Sequence, residues 1–406
     1  MARLEITAER LLNSLRGVRE RILQTYIVDK DEVLRKPDGQ GIHWLDTATT
    51  SGFLRLFSAF YSHTAEPQDK VFARRCLQHL RNGAVFHNGV WFWDLPTPSI
   101  CSHGRYWYDA FIAAQVFEDL ETLDWIRQMI RSWPFLHGEH LFAVHFSPVT
   151  LKETAHNHPY NMELEAAVPA WLVGNETGDE MLMSKGRDVI EYFFLPNQRE
   201  DGLWEYDYEQ IYGTDAIEYL YSGYCVLLAA RLLPYEDWAH ILRTPLARSL
   251  DKILQDCLRP DGSIYTPTHW GWGHIWESTA MVCCAAWYLT KYGKGEYEEI
   301  IARGIDWVLR YRLFEKSFEP SGKDMGNVAK HLSELLYQNV QAKGPSAKTP
   351  DVLDTLTQVV QHVEEGDQVW VHYPECGDRV RALIERMQNG HIENREGGNP
   401  KKNNRG

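Results

Sequence analysis

Two kinds of helical pattern alternate along the chain. The run "IWESTAMVCCAAWYLTKYG" at 275–293 is apolar nearly all round, as a helix covered on every side must be, whereas "EYEEIIARGIDWVLRYRL" at 296–313 keeps one polar face. The same pair recurs as "TDAIEYLYSGYCVLLAARLL" with "YEDWAHILRTPLARSLDKIL", and as "NMELEAAVPAWLVGN" with "DEMLMSKGRDVIEYFF". Each pair predicts a hairpin whose first helix is enclosed and whose second is half exposed.

Glycine turns punctuate the pattern. They stand at Gly39, Gly89, Gly138, Gly202, Gly262 and, more weakly, Gly322, separated by 50, 49, 64, 60 and 60 residues. A period of this size marks a repeat architecture. After each turn comes an aromatic and polar segment, then the apolar helix, a break, and the amphipathic helix that returns to the next turn. Six such hairpins bury their apolar helices by closing into a double ring, so the expected fold is all-α, an (α/α)6 toroid. An open solenoid is the alternative.

The expected organisation is an N-terminal helical segment packing on the ring over 1–37, the ring over 38–340, further helices over 341–393 and a disordered tail over 394–406. With 44% hydrophobic and 24% charged residues among 406, the chain has enough apolar material for a large core. Its net charge of -14 argues against nucleic acid, because phosphate binding needs clustered Lys and Arg. No run approaches the roughly 18 apolar residues of a membrane span, and the charged N-terminus has no secretion pattern, which together predict a cytoplasmic protein. The 7 cysteines form no metal-type or redox-type pair, and Cys283 and Cys284 read as small core residues inside a helix.

The chemistry concentrates where the apolar helices begin. Those stretches carry Trp44 and Asp46; His103, Arg105, Tyr106, Trp107, Tyr108 and Asp109; and His158, Tyr160, Asn161 and Glu163. The fourth and fifth units add Tyr212, Asp215 and Glu218, then Trp270, Trp272, His274, Trp276 and Glu277. Any one of them taken singly reads more readily as a helix cap or a packing group than as a catalytic one, Asp46 and Asp215 above all. Their recurrence in register is more than capping requires. Asp109, Asp215 and Glu277 are the candidate catalytic acids, since a carboxyl enclosed by Trp and Tyr loses solvation and holds its proton. His158 and His274, with His103, are candidate bases or orienting partners, and the remaining residues, Asp46 and Tyr108 apart, are with His103 the candidate substrate contacts. No strong metal motif is present; magnesium through Asp215 with Glu218, or His274 with Glu277, stays open, as does a homo-oligomer.

"Gln198-Arg-Glu-Asp-Gly202-Leu-Trp204", and "Arg259-Pro-Asp-Gly262-Ser" followed by "Trp270-Gly-Trp-Gly-His-Ile-Trp-Glu-Ser-Thr-Ala", resemble the repeats of squalene and oxidosqualene cyclases and of protein prenyltransferase β-subunits. That resemblance implies a Gln-Trp turn packing one hairpin on the next, and a terpenoid cyclase or isomerase acting on an isoprenoid in an aromatic cavity. The family's Asp-x-Asp-Asp and Asp-Asp-x-x-Asp strings are absent. A second resemblance joins "Trp107-Tyr-Asp109" and "Asn157-His158-Pro-Tyr-Asn161-Met-Glu163" to unsaturated glucuronyl hydrolases and acylglucosamine epimerases, which implies a carbohydrate-active enzyme working through acid and His pairs. Aromatic faces serve both chemistries, by cation–π attraction or by stacking on sugar rings. A non-catalytic binding ring is the third reading. The Gln-Trp turns place the isoprenoid reading first.

Overall fold

The alternation of enclosed and half-exposed helices reappears as helical hairpins in a computed structural model, which describes residues 8–25, 27–28, 34–35, 44–93, 98–154, 158–206, 217–266, 274–293, 295–310 and 330–337. The chain divides into two compact units, Met1–Val352 and Leu353–Gly406, and every described residue belongs to the first. The later boundaries expected from the sequence lie outside the described residues.

Helix α1 spans Ala8–Thr25 and is followed by the antiparallel strands β1 (Ile27–Val28) and β2 (Leu34–Arg35). The hairpins then run α2 (Trp44–Thr64) with α3 (Pro67–Asn82), α4 (Ile100–Phe117) with α5 (Leu120–Ser132), and α6 (Tyr160–Thr177) with α7 (Glu180–Asp188). They continue as α8 (Ile217–Ala230) with α9 (Glu236–Cys257), and α10 (His274–Gly293) with α11 (Glu298–Arg310). Residues 330–337 form the sixth inner helix.

Capping chemistry makes the corners. Helix α4 ends on Glu118 at φ 53°, and Asp119 then accepts the Thr122 amide to start α5. Helix α6 ends on Gly178 at φ 68°, and Asp179 accepts from Leu182 to start α7. A left-handed residue followed by an aspartate N-cap reverses the chain in two residues.

Each inner helix packs on the next, α2 on α4, α4 on α6, α6 on α8 and α8 on α10. The sixth closes the circle: Tyr288 of α10 and Arg55 of α2 both bond Glu334, and His63 of α2 meets the Leu336 carbonyl. The toroid expected from the sequence is the fold. On its outside, Arg19 of α1 pairs with Glu66 and Asp69 at the corner between α2 and α3.

The glycine turns among the described residues are of two kinds, which the single repeat grammar did not anticipate; Gly39 and Gly322 lie outside the described residues. Those at Gly89 and Gly138 belong to β-hairpins, β3 (Ala84–His87) with β4 (Val90–Trp93) and β5 (Phe135–Leu136) with β6 (Leu141–Phe142). Those at Gly202 and Gly262 lack strands and press on the following outer helix. At φ 94° and 95° they are left-handed, and an added Cβ would sit 3.1 Å from the Arg248 carbonyl and 2.9 Å from that of Arg303. Only glycine fits. Gln198 donates to the Gly202 and Pro245 carbonyls, both at 2.8 Å, while Trp204 donates to the Phe194 carbonyl and stacks on its ring. The turn therefore fastens hairpin to hairpin.

Candidate active site

On the inner helices, charged side chains recur at helical spacing inside otherwise apolar faces. Helix α4 presents Arg105, Tyr108 and Asp109, α6 presents Asn161 and Glu165, and α10 presents Glu277, Met281, Cys284 and Tyr288. A buried charge is tolerated only when paired, and the ring brings the partners from different helices.

At the deep level Glu334 accepts Arg231 Nε and Nη2 at 2.8 Å each, Arg55 Nη1 at 3.1 Å, Tyr288 Oη at 3.0 Å and Tyr108 Oη at 3.2 Å. Burial opposes its charge, but the Arg231 and Arg55 guanidiniums outweigh that and hold the carboxyl well below the usual range. Arg55 also meets Asp109, as an ion pair rather than a well-directed hydrogen bond. Ser51 donates to Asp109, and Lys330 Nζ lies 3.5 Å from it.

Nearer the helix N-termini, Arg105 Nε donates to Glu165 at 2.8 Å, and Tyr224 donates to Glu277. The Tyr224 ring lies 6.2 Å from His331. His331 is 4% exposed, and its Nδ1 has no hydrogen-bond partner among the described residues. Burial, reinforced by Lys330, Arg55 and Arg231 against Glu334, pushes this imidazole well below its ordinary pKa, so it stays neutral. Asn161 Oδ1 is likewise buried without a partner. All six inner helices contribute to this axis.

Several residues singled out from the sequence are elsewhere. His103 is a core histidine: Nε2 accepts the Trp93 amide, Nδ1 donates to the Ser99 carbonyl, and burial lowers it to about 3. Trp107 packs edge-on against Trp133, and Tyr106 against Trp93, so both face the outer layer rather than a substrate. His158 lies between Glu163 at 2.7 Å and Glu153 at 3.3 Å, and these carboxylates bind the Phe142 and Val144 amides. That is a clamp holding β6 on the start of α6. The Tyr160 ring lies 4.8 Å from that of Phe193, tilted by 30°, and Glu218 pairs with Arg199 at 2.6 Å.

Asp109, Arg105, Asn161 and Glu277 are at the axis. The aromatic enclosure expected to keep Asp109 protonated is not its environment, since Arg55, Lys330 and Ser51 face it. Tyr212, Asp215, Trp270 and Trp272 lie outside the described residues, as do the side chains of Trp44, Asp46, His274 and Trp276.

Sequence reasoning missed Ser51, Arg55, Glu165, Tyr224, Arg231, Lys330, His331 and Glu334. The available signal was charge inside an apolar helix: Arg55 within "GFLRLFSAF", and Lys330, His331 and Glu334 spaced along "AKHLSELL". Cys283 and Cys284 are buried core residues, as expected, with burial pushing Cys283 up to about 12. Among the described residues no group of three or more His, Cys, Asp or Glu is placed to hold a metal, and no helix is long and apolar enough to cross a membrane.

No protein family and no curated protein matches this sequence. Solved structures do match its fold. A sugar epimerase from a ruminal bacterium aligns with a TM-score of 0.62 at 9% identity, covering 82% of this chain and 99% of its own. A D-mannose isomerase gives 0.62 at 14% identity, covering 83% and 99%. Cellobiose 2-epimerase from Bacillus thermoamylovorans B4167 gives 0.56 at 14%, covering 75% and 87%, and a GH76A α-1,6-mannanase from a Salegentibacter species gives 0.55 at 12%, covering 81% and 100%. The likeness fixes the α/α toroid. It also overturns the isoprenoid reading, because these neighbours bear the names of sugar enzymes, and it does not show the repeats to be those of terpene cyclases. The axis agrees: a carbocation needs a dry aromatic wall, whereas here it would face Arg55, Arg105, Arg231 and Lys330.

Proposed function

We propose that this chain is a carbohydrate-active enzyme that moves a proton on the carbon beside a sugar carbonyl, as an epimerase or aldose–ketose isomerase does. The observation that carries the reading is His331, a buried neutral imidazole with an unpartnered Nδ1 among charged and hydroxyl groups. A neutral imidazole is a competent base, and enclosure keeps it in that form. The Tyr224–Glu277 pair beside it supplies a second proton-bearing group. Epimerisation and isomerisation need just such groups, one to take the proton and one to return it. Glycoside hydrolysis ranks behind it, because that reaction uses two carboxyl groups flanking the scissile bond, whereas three of the four at the axis, Asp109, Glu165 and Glu334, each meet a cation and the fourth, Glu277, accepts from Tyr224.

The test is incubation with aldohexoses, ketohexoses and reducing disaccharides in D2O, followed by proton NMR. Deuterium should replace the proton on the carbon beside the carbonyl, and an epimer or isomer should accumulate. His331→Gln should lower the rate by about 10²–10⁴-fold, the usual worth of a general base. Absence of exchange on every sugar, together with release of new reducing ends from a glycan, would replace this reading with hydrolysis.

A further inference from the structure

Taking a proton from the carbon beside a carbonyl builds negative charge on the carbonyl oxygen, and an enzyme meets that charge with a donor already in place. His331, neutral through burial, can serve as the base but not as this donor. Of the cations at the axis, Arg231 and Arg55 are engaged deep in the ring by Glu334, and Arg105 is engaged by Glu165 through Nε. Lys330 differs. An ammonium carries three donors, and the carboxylate that Lys330 meets among the described residues, Asp109, is 3.5 Å away, longer than a charge-assisted hydrogen bond. Its side chain is 12% exposed, against 1% for Arg55, and it precedes His331 directly in the chain.

We infer that Lys330 is a catalytic residue of this site, its ammonium donating to the carbonyl oxygen of an open-chain sugar while His331 handles the proton on the adjacent carbon. The inference rests on the proposed function. The groups facing Lys330 suit the role: Asp109 and Arg105 from α4, Arg55 from α2 and Glu165 from α6 form a nearly balanced set, so the ammonium remains charged without being locked. Burial, with Asp109 opposing it, pulls Lys330 down to about 8. The ammonium is therefore present at neutral pH and is lost as pH rises through that value. The contact is non-covalent, and the lysine keeps its proton throughout.

The experiment measures deuterium exchange by wild type, Lys330→Met and Lys330→Arg on the sugar that wild type exchanges fastest, across pH 6 to 10, with a parallel sodium borohydride treatment followed by intact mass. Lys330→Met should lose about 100-fold or more in kcat with KM changed only a few-fold, the behaviour of a donor used in the transition state. Lys330→Arg, which keeps the charge, should regain part of the rate and lose the alkaline fall near pH 8. It also carries the test should the Met variant fail to fold. A Met variant with wild-type kcat overturns the inference, as does an Arg variant with an unchanged alkaline limb. A borohydride-trapped sugar on Lys330 overturns it too, since that shows a covalent imine. A wild type that exchanges no sugar rejects the proposed function and this inference together, whereas an active wild type with an equally active Met variant rejects the inference alone.

Discussion

Replacing Glu334 by Leu should be among the most damaging single changes available to this ring. The carboxylate accepts hydrogen bonds from Arg231, Arg55, Tyr108 and Tyr288, drawn from four different hairpins. With it gone, Arg55 keeps Asp109, but Arg231, 4% exposed, loses the carboxylate that takes both its Nε and its Nη2. Removing one partner of a buried ion pair costs about 3–5 kcal/mol, because the remaining charge stays buried. That is a large part of the roughly 5–15 kcal/mol that holds a folded protein together. Urea unfolding followed by far-UV circular dichroism would read the cost. The double variant Glu334→Leu with Arg231→Met should recover most of it, since the stranded charge goes too. The acid limb gives a second reading: Glu334 titrates well below 4.5 in the folded chain, so its contribution is complete above about pH 4.5 and is lost as pH falls through the folded value. Glu334→Gln should flatten that limb. A Leu variant that loses under about 1 kcal/mol, or a double variant no better than the single, would refute the account of Glu334 as the ring's clasp.

Other substitutions probe separate parts of the fold. Gly104→Ala would drive a Cβ into the backbone of Glu165, so it should cost about 1–3 kcal/mol in thermal or urea unfolding and, by moving α4 off α6, weaken sugar-dependent exchange through Arg105 and Glu165. His103 is neutral in the fold, with its pKa lowered from 6.5 to about 3, so wild-type stability should fall by about 1.4 kcal/mol per pH unit as pH drops from 6.5 toward 3. His103→Asn should remove that slope while lowering stability at neutral pH. Gln198→Ala deletes the donor to the Gly202 and Pro245 carbonyls and should cost about 1–3 kcal/mol by urea unfolding, with exchange activity unchanged.

The sequence revealed the architecture better than the site, for a physical reason. Helix α10 has to be apolar nearly all round because it is covered by α8 and α11, and that requirement is written locally. The Asp-Gly turns were legible for the same reason, since a left-handed φ with a neighbouring carbonyl closer than van der Waals contact to any added Cβ admits only glycine. Site membership is decided by which face of an inner helix a residue occupies. Arg105, Tyr106, Trp107, Tyr108 and Asp109 are consecutive, yet Tyr106 and Trp107 turn outward to Trp93 and Trp133 while Arg105, Tyr108 and Asp109 turn toward the axis. Choosing by proximity to the turn selected both kinds. Glu334 was invisible for a different reason: its partners stand 279, 226, 103 and 46 residues away, and only closure of the ring brings them together.

The placement of charge at the axis bears on which chemistry the ring can host. Arg55, Arg105, Arg231 and Lys330 are matched there by Asp109, Glu165, Glu277 and Glu334, so the described set is close to neutral overall but unevenly distributed. Glu334 is saturated at the deep end, while Lys330 retains 12% exposure and Arg105, near the N-terminal end of α4, 24%. Because each hairpin returns the chain before the next begins, the inner helices α2, α4, α6, α8 and α10 run parallel, with their positive dipole ends on the same side. A reaction passing through a cation would work against this arrangement. One that collects negative charge on a carbonyl oxygen is helped by the dipoles and by the cations Lys330 and Arg105, and His331 beside them is neutral through burial. The sign of the charge that develops in the transition state therefore separates sugar proton transfer from isoprenoid cyclisation more sharply than the aromatic content of the chain, which serves both.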